Sequence, residues 1–407
     1  MALVLAFTVT AGRAEEAPRD TLRRMGFRVY GGPTRQLAMD RYERKWLQGK
    51  NGMAVGAELE FSSLGKADDG TNRDYNYPSL SLGAQLSLNN GVTMHRTADP
   101  AWGQAEMVDY DSHLGNILSL YGAFNRPLFR HGRWQVDYTL RMGIAYATRP
   151  YDKEKNVDNE LIGSRLNMCF EAGVVASYRF VDEWSVTGGV LFGHHSNGAL
   201  ARPNKGENHV GPVIGIAHHP APPHSVAPPP TDGAEKTSLW IAHLRFGLGG
   251  KTLLEDWQTT QFQTSPNDVN YRTEHFRLYA AWSLSTDVMC RYARRWASGI
   301  GCDVFYGTYY HHVSSPETPT SPWSVGIAAR HEAYYHQLSC DMALGVYLFR
   351  RMGEHAREVE KPYYERIGVS YSFPHLGGFR VGFSVKAHLT KADLTELVAT
   401  FPFRLSR

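Results

Sequence analysis

Apolar side chains recur at every second position along most of this chain of 407 residues, and that period decides what it can build. In 133–146, Trp134, Val136, Tyr138, Leu140, Met142, Ile144 and Tyr146 share one face, while Arg133, Gln135, Asp137, Thr139 and Arg141 share the other. The next stretch opposes Leu166, Met168, Phe170, Val174 and Tyr178 to Arg165, Asn167, Glu171, Ser177 and Arg179. Successive side chains of a strand point to opposite faces, so a period of two means strands. Candidate strands fall at 26–32, 52–62, 78–89, 114–125, 132–148, 161–180, 184–197, 207–218, 237–249, 273–287, 294–309, 322–335, 337–350, 362–373, 378–390 and 394–405.

A soluble sandwich also alternates. Two features favour a membrane instead. Many of these segments are about a dozen residues long, against about five or six for an average soluble strand. Their polar faces carry Arg, Asp and Glu in mid-strand, and aromatics stand at the ends of the apolar faces, as in the girdles of outer-membrane barrels. A sheet exposed to lipid has to close, because open edges would leave backbone groups unpaired. The mean hydropathy of −0.39 fits, since inward polar positions dilute the outward apolar ones. No apolar run after the N-terminus reaches the ~18–20 residues of a membrane helix, which excludes a helical membrane protein. With 43 Lys+Arg against 40 Asp+Glu, nothing points to a nucleic-acid partner.

The expected fold is therefore all-β: an antiparallel transmembrane outer-membrane barrel of about 14 strands, within a range of 12–16. Residues 1–14 read as a signal peptide with small residues at Gly12 and Ala14, apparently truncated because no basic n-region precedes the apolar run. Residues 26–407 are expected to form one barrel, with the Pro-rich stretch 219–236 as an inserted loop; the alternative is two smaller barrels divided there. Cys290 and Cys302 could face each other across a hairpin near Trp296, and an exported chain permits such a disulfide.

The segment richest in chemistry runs from Phe192 to His209. On its strand, Trp184, Val186, Val190, Phe192, His194 and Ser196 share the apolar face, and Ser185, Thr187, Gly189, His195 and Asn197 the other. The apolar face of a membrane barrel looks at lipid, so His194 and Ser196 emerge on the lipid side. Two residues apart on one face, they can pair as nucleophile and general base. On the following strand Asn208, Val210, Pro212, Ile214 and Ile216 face outward, with Glu207 and His209 inward. The loop between them brings Asn208 to His194. Polar side chains on a lipid-facing wall are costly without a purpose. A metal site built from His194, His195, His209 and His218 or His219 is set aside, because parity puts His194 and His195 on opposite sides of the wall.

His194-His195-Ser196-Asn197-Gly198 with Arg202-Pro203-Asn204-Lys205-Gly206 resembles the His-x-Ser-Asn and Pro-Asn-x-Gly signature of PagL-type lipid A 3-O-deacylases. The wider run from Leu114 to Asn208 resembles the longer Bacteroidetes acyloxyacyl hydrolases, through Asn125-Arg126-Pro127 and Gly163-Ser164-Arg165-Leu166-Asn167. The closing stretch Ala387–Glu396 resembles the end of those chains. The resemblance implies an outer-membrane serine esterase that removes an ester-linked acyl chain from lipid A of lipopolysaccharide, without a cofactor or a metal. Ser196 would be the nucleophile, His194 the general base, and Asn197 and Asn204 the oxyanion donors. Arg202 and Lys205 would contact lipid A phosphates. The family's third catalytic residue is a Glu at the position that here is Asn208, with Glu207 next to it and pointing inward. Asn208 is expected to orient His194. The competing reading is a non-catalytic barrel, a pore or a structural member of the fold, with Asp137, Arg165, Glu171 and Arg179 lining its lumen.

Overall fold

Strands with one apolar and one polar face are stable only when neighbours take their backbone hydrogen bonds and the apolar face finds lipid or a core. In the computed structural model, which describes residues 25–62, 70–219, 239–314, 320–351, 362–389 and 391–405, both needs are met by closure. The first sheet contains β1 (Met25–Gln36), β2 (Asn51–Ser62), β3 (Ser79–Gly91), β6 (Ile117–His131), β7 (Trp134–Ala147), β8 (Leu166–Val181), β9 (Trp184–Ser196) and β10 (Glu207–His218). The second contains β11 (Leu239–Lys251), β12 (Tyr279–Ala293), β13 (Trp296–Gly307), β14 (Trp323–Tyr335), β15 (Leu338–Arg350), β16 (Tyr363–Phe373), β17 (Phe379–His388) and β18 (Lys391–Arg404). The short pair β4 (Thr93–Met94) and β5 (Ser112–His113) lies outside both.

Each of the sixteen segments read from the sequence overlaps one of these barrel strands, and sixteen lies within the expected 12–16, but the strands close as the alternative had it, in two eight-stranded barrels and not in one. β10 pairs back onto β1, with Val29 opposite Ile216, and closes eight strands. β11 pairs onto β18, with Phe246 opposite Ala399, and closes the other eight. Alternation could not separate the two cases, because the outer face reads the same in a wide barrel and in two narrow ones. What differs is the lumen: an eight-stranded interior is just wide enough for side chains to fill. Both interiors are filled. In the first, Arg141 lies 2.7 Å from Glu58 and 2.8 Å from Glu171, and donates to the Tyr30 hydroxyl at 3.0 Å. In the second, Arg245, Arg366 and Arg380 are paired with Asp287 (2.8 Å), Asp303 (2.9 Å) and Glu332 (3.1 Å). Asp137 and Glu171 do face the first lumen, whereas Arg165 stands at its rim and donates to the Thr148 carbonyl.

The outer faces keep the expected parity. Val186, Val190 and Ile214 are exposed, while the alternate Thr187 and Leu191 are buried. Trp134 against Tyr178, and Trp282 among Tyr306 and Trp323, place aromatics at opposite rims. One rim has mostly tight turns, as between β8 and β9, apart from the β2–β3 connection 63–78, and the other carries most of the long connections, 37–50, 92–116, 148–165, 197–206 and 252–278. In bacterial barrels short turns face the periplasm and long loops the exterior, so the long-loop rim is the extracellular one. Over the first barrel these loops bury a core of Trp46, Met94, Trp102, Leu114, Leu161 and Ile162. Cys302 lies opposite Thr286 and Cys290 opposite Ser298, so these cysteines do not face each other and are not disulfide-bonded. The signal-peptide residues 1–14 and residues 220–238, most of the Pro-rich stretch, lie outside the described residues.

Candidate active site

At the extracellular end of β9 and the start of β10, Asn208 stands opposite His194 and Glu207 opposite His195. The even positions face out and the odd positions face the lumen, as the pattern required. On the outer face the His194 ring bridges two partners, with Nε2 2.9 Å from Ser196 Oγ and Nδ1 2.8 Å from Asn208 Oδ1. The Asn208 amide donates through Nδ2 to the Gly206 carbonyl at 3.1 Å, which leaves its oxygen as the acceptor for His194. Nδ1 of His194 therefore carries the hydrogen, and Nε2 offers its lone pair to the Ser196 hydroxyl. Ser196 and Asn208 are buried and His194 is half-buried.

The connecting loop 197–206 turns through backbone conformations that suit glycine: Gly198 has φ +64° and Gly206 φ +85°. Gly206 is also confined by the site, since a Cβ there would lie 2.6 Å from His194 Cε1. The Asn197 N–H donates to Asn204 Oδ1 at 3.0 Å, so the Asn204 amide keeps its NH2 for another acceptor. The Asn197 side chain accepts from the Ala201 N–H (3.1 Å) and donates to Ser164 Oγ (3.2 Å). These bonds hold the loop in its turn. The loop is also held by the first barrel's own 148–165 connection, where the Glu160 and Leu161 carbonyls accept from the Lys205 and Gly206 N–H groups.

Arg202 is buried, and its guanidinium donates to the Thr252 carbonyl at 2.8 Å, on the side of the second barrel. Burial pulls its pKa down to about 10, with partial compensation from Glu255, so it stays charged near neutral pH. Lys205 reaches Asp40 at 3.2 Å and sits over the Tyr42 ring at 4.6 Å. Beside Asp40, the carboxyl of Glu43 is raised to about 7, chiefly by burial.

Inside the wall, Glu207 accepts from His195 (2.6 Å) and from His209 (2.8 Å), and His195 also meets Ser119 Oγ at 2.9 Å. The ligand atoms of His195, Glu207 and His209 lie within 4.8 Å of one another and are of metal-binding type. His194 is on the other face of the strand and does not join them. Sequence reading missed the partners that come from afar: Ser164, Thr252 and Thr395. Ser164 stands in the Gly163–Asn167 motif, and Thr395 carried a signal of its own, a hydroxyl on the outward face of β18.

A closed, apolar-walled β-barrel with a histidine–serine pair at its extracellular rim defines the class: an outer-membrane barrel protein with a candidate acyl-transfer site. Residues 75–217 match the family described as lipid A 3-O-deacylase (PagL), and residues 242–405 match the acyloxyacyl hydrolase C-terminal domain. The chain belongs to this PagL and acyloxyacyl hydrolase family and to the bacterial outer membrane. No curated protein is matched by the chain. Among solved structures, a mutant of the Rh. blastica porin is 7% identical, covering 93% of this chain and 99% of that one, with a TM-score of 0.17. The FrpB iron transporter from Neisseria meningitidis is 10% identical over 93% and 69%, with a TM-score of 0.25. The Pseudomonas putida toluene transporter TodX is 9% identical over 95% and 90%, with a TM-score of 0.18. Likeness at this level carries no argument about function.

Proposed function

We propose that the protein is a serine esterase that removes an ester-linked acyl chain from lipid A in the outer leaflet. The observation that carries this reading is the hydrogen-bonded chain Ser196–His194–Asn208, lying outside the barrel wall and at the extracellular rim, where such an ester sits. Family membership supplies the substrate class.

The chemistry follows from the tautomer. Ser196 Oγ attacks the ester carbonyl while its proton passes to His194 Nε2. The imidazolium then carries hydrogen on both nitrogens, and Asn208 Oδ1 accepts the one on Nδ1 throughout. The Asn204 NH2, aimed by the Asn197 N–H that holds its oxygen, is the donor assigned to the oxyanion. Nε2 returns its proton to the departing sugar oxygen, leaving an acyl-Ser196 ester. Water, deprotonated by His194, cleaves that ester to the fatty acid and restores the serine. Asn208 aligns the base as a carboxylate would but stabilises the imidazolium less, so a slower enzyme than one with Glu there is expected.

The test is lipid A mass. Cells producing the wild-type protein should lose one acyl chain from lipid A, and cells producing Ser196→Ala should not. Equal acyl counts in both would end the esterase reading.

A further inference from the structure

The loop that carries the site is gripped from the second barrel as well as the first. On β18, Glu396 and Val398 face the lumen while Leu397 is exposed on the outer wall, so Thr395 also projects outward. A hydroxyl on that face is unfavourable without a partner. Its partner is the Gly198 carbonyl, at 2.6 Å, two residues beyond Ser196. At the end of β11, the Thr252 N–H and hydroxyl both donate to the Ala199 carbonyl at 2.8 Å, and Thr252 O accepts from Arg202 in return. Ala199 is fully buried, and a Cβ on Gly198 would collide with Thr395. Around this contact the two barrels share a cap. Trp257 packs with Tyr151 and Val157, and Gln261 donates to the Tyr151 hydroxyl at 2.7 Å.

We propose that the second barrel is a positioning element for the first barrel's active site, acting through Thr395 and Thr252 on the Gly198 and Ala199 carbonyls. The proposal rests on the esterase reading and extends it. The backbone between Ser196 and Asn204 has the nucleophile at one end and the oxyanion donor at the other, and its middle is tied to the neighbouring barrel. Catalytic groups held loosely lose rate steeply, on the order of 10²-fold for a displacement of about 1 Å. Neither threonine touches substrate in this account. Each fixes the distance between groups that do.

The experiment uses the full chain in lipopolysaccharide-containing vesicles. Thr395→Val and the double variant with Thr252→Val remove the hydroxyls and keep the shape, and Thr395→Ser restores the hydroxyl. Folding is checked by heat-modifiable migration on gels. Lipid A deacylation kinetics are read beside hydrogen exchange of the 197–206 peptide. The double variant should lose about tenfold or more in kcat with KM little changed, its loop amides should exchange faster, and Thr395→Ser should recover both. Folded valine variants with unchanged kcat, or with unchanged loop exchange, would overturn the proposal. Were wild type no more active than Ser196→Ala, the esterase reading would fall, and the exchange result alone would decide whether the second barrel holds the loop.

Discussion

Asn208→Ala isolates what an amide does where this family's third catalytic residue stands. The variant removes the oxygen that accepts from His194 Nδ1 at 2.8 Å and the NH2 bound to the Gly206 carbonyl. In the ground state the imidazole loses the bond that selects its tautomer, at a cost of about 0.5–1 kcal/mol. In the transition state the imidazolium loses a bond to a charged donor, about 1.5–3 kcal/mol. Because kcat reads the difference between the two states, the barrier rises by about 1–2 kcal/mol, a fall in kcat of about 5- to 30-fold. KM should hardly move, because Asn208 contacts His194 and not the lipid. The assay is fatty-acid release from purified lipid A in mixed micelles. Asn208→Asp keeps the acceptor, loses the bond to Gly206, and should stay within about tenfold of wild type. Asn208→Ala within threefold of wild type would refute the orienting role.

Three further outcomes are expected. Gly206→Ala places a Cβ 2.6 Å from His194 Cε1 at φ +85°, so the ring must shift and kcat should fall by about 10² or more, read by the same release assay. With both lumens filled by ion pairs, planar-bilayer recordings of the purified protein should show no steady conductance. A stable open channel would favour the pore reading. The Glu43 carboxyl is raised to about 7 by burial, so the native state favours its protonated form. Its contribution to stability is complete below about pH 4.5 and is lost as pH rises through about 7. Glu43→Gln should therefore slow hydrogen exchange of the 37–50 loop at pH 8 and leave it little changed at pH 5.

Period two made the wall, and with it the side of the wall, legible from the sequence. Because parity survives any uncertainty in strand ends, His194, Ser196 and Asn208 could be placed outside and His195, Glu207 and His209 inside. The number of barrels was not legible, since it depends on whether β10 seeks β1 or β11. That choice is a pairing between distant segments which alternation does not encode. Loop chemistry was only partly legible. Asn197 and Asn204 sit in one motif, yet one builds the turn and the other keeps a free donor end. That division depends on Ser164 and Ala201 being within reach. Arg202 looked like a phosphate ligand because a basic residue in a loop is ordinarily solvated. Its carbonyl partner belongs to the other barrel, 50 residues away.

The esterase reading requires Ser196 to be an activated nucleophile reached from the lipid side. A long-chain alkyl phosphonate ester carrying a fluoride leaving group, added to the full-length protein in vesicles, tests this directly, with the modified peptide read by mass spectrometry. A single adduct on Ser196 is expected in the wild type and almost none in His194→Ala. Labelling absent from Ser196, or undiminished when the imidazole is removed, would contradict it.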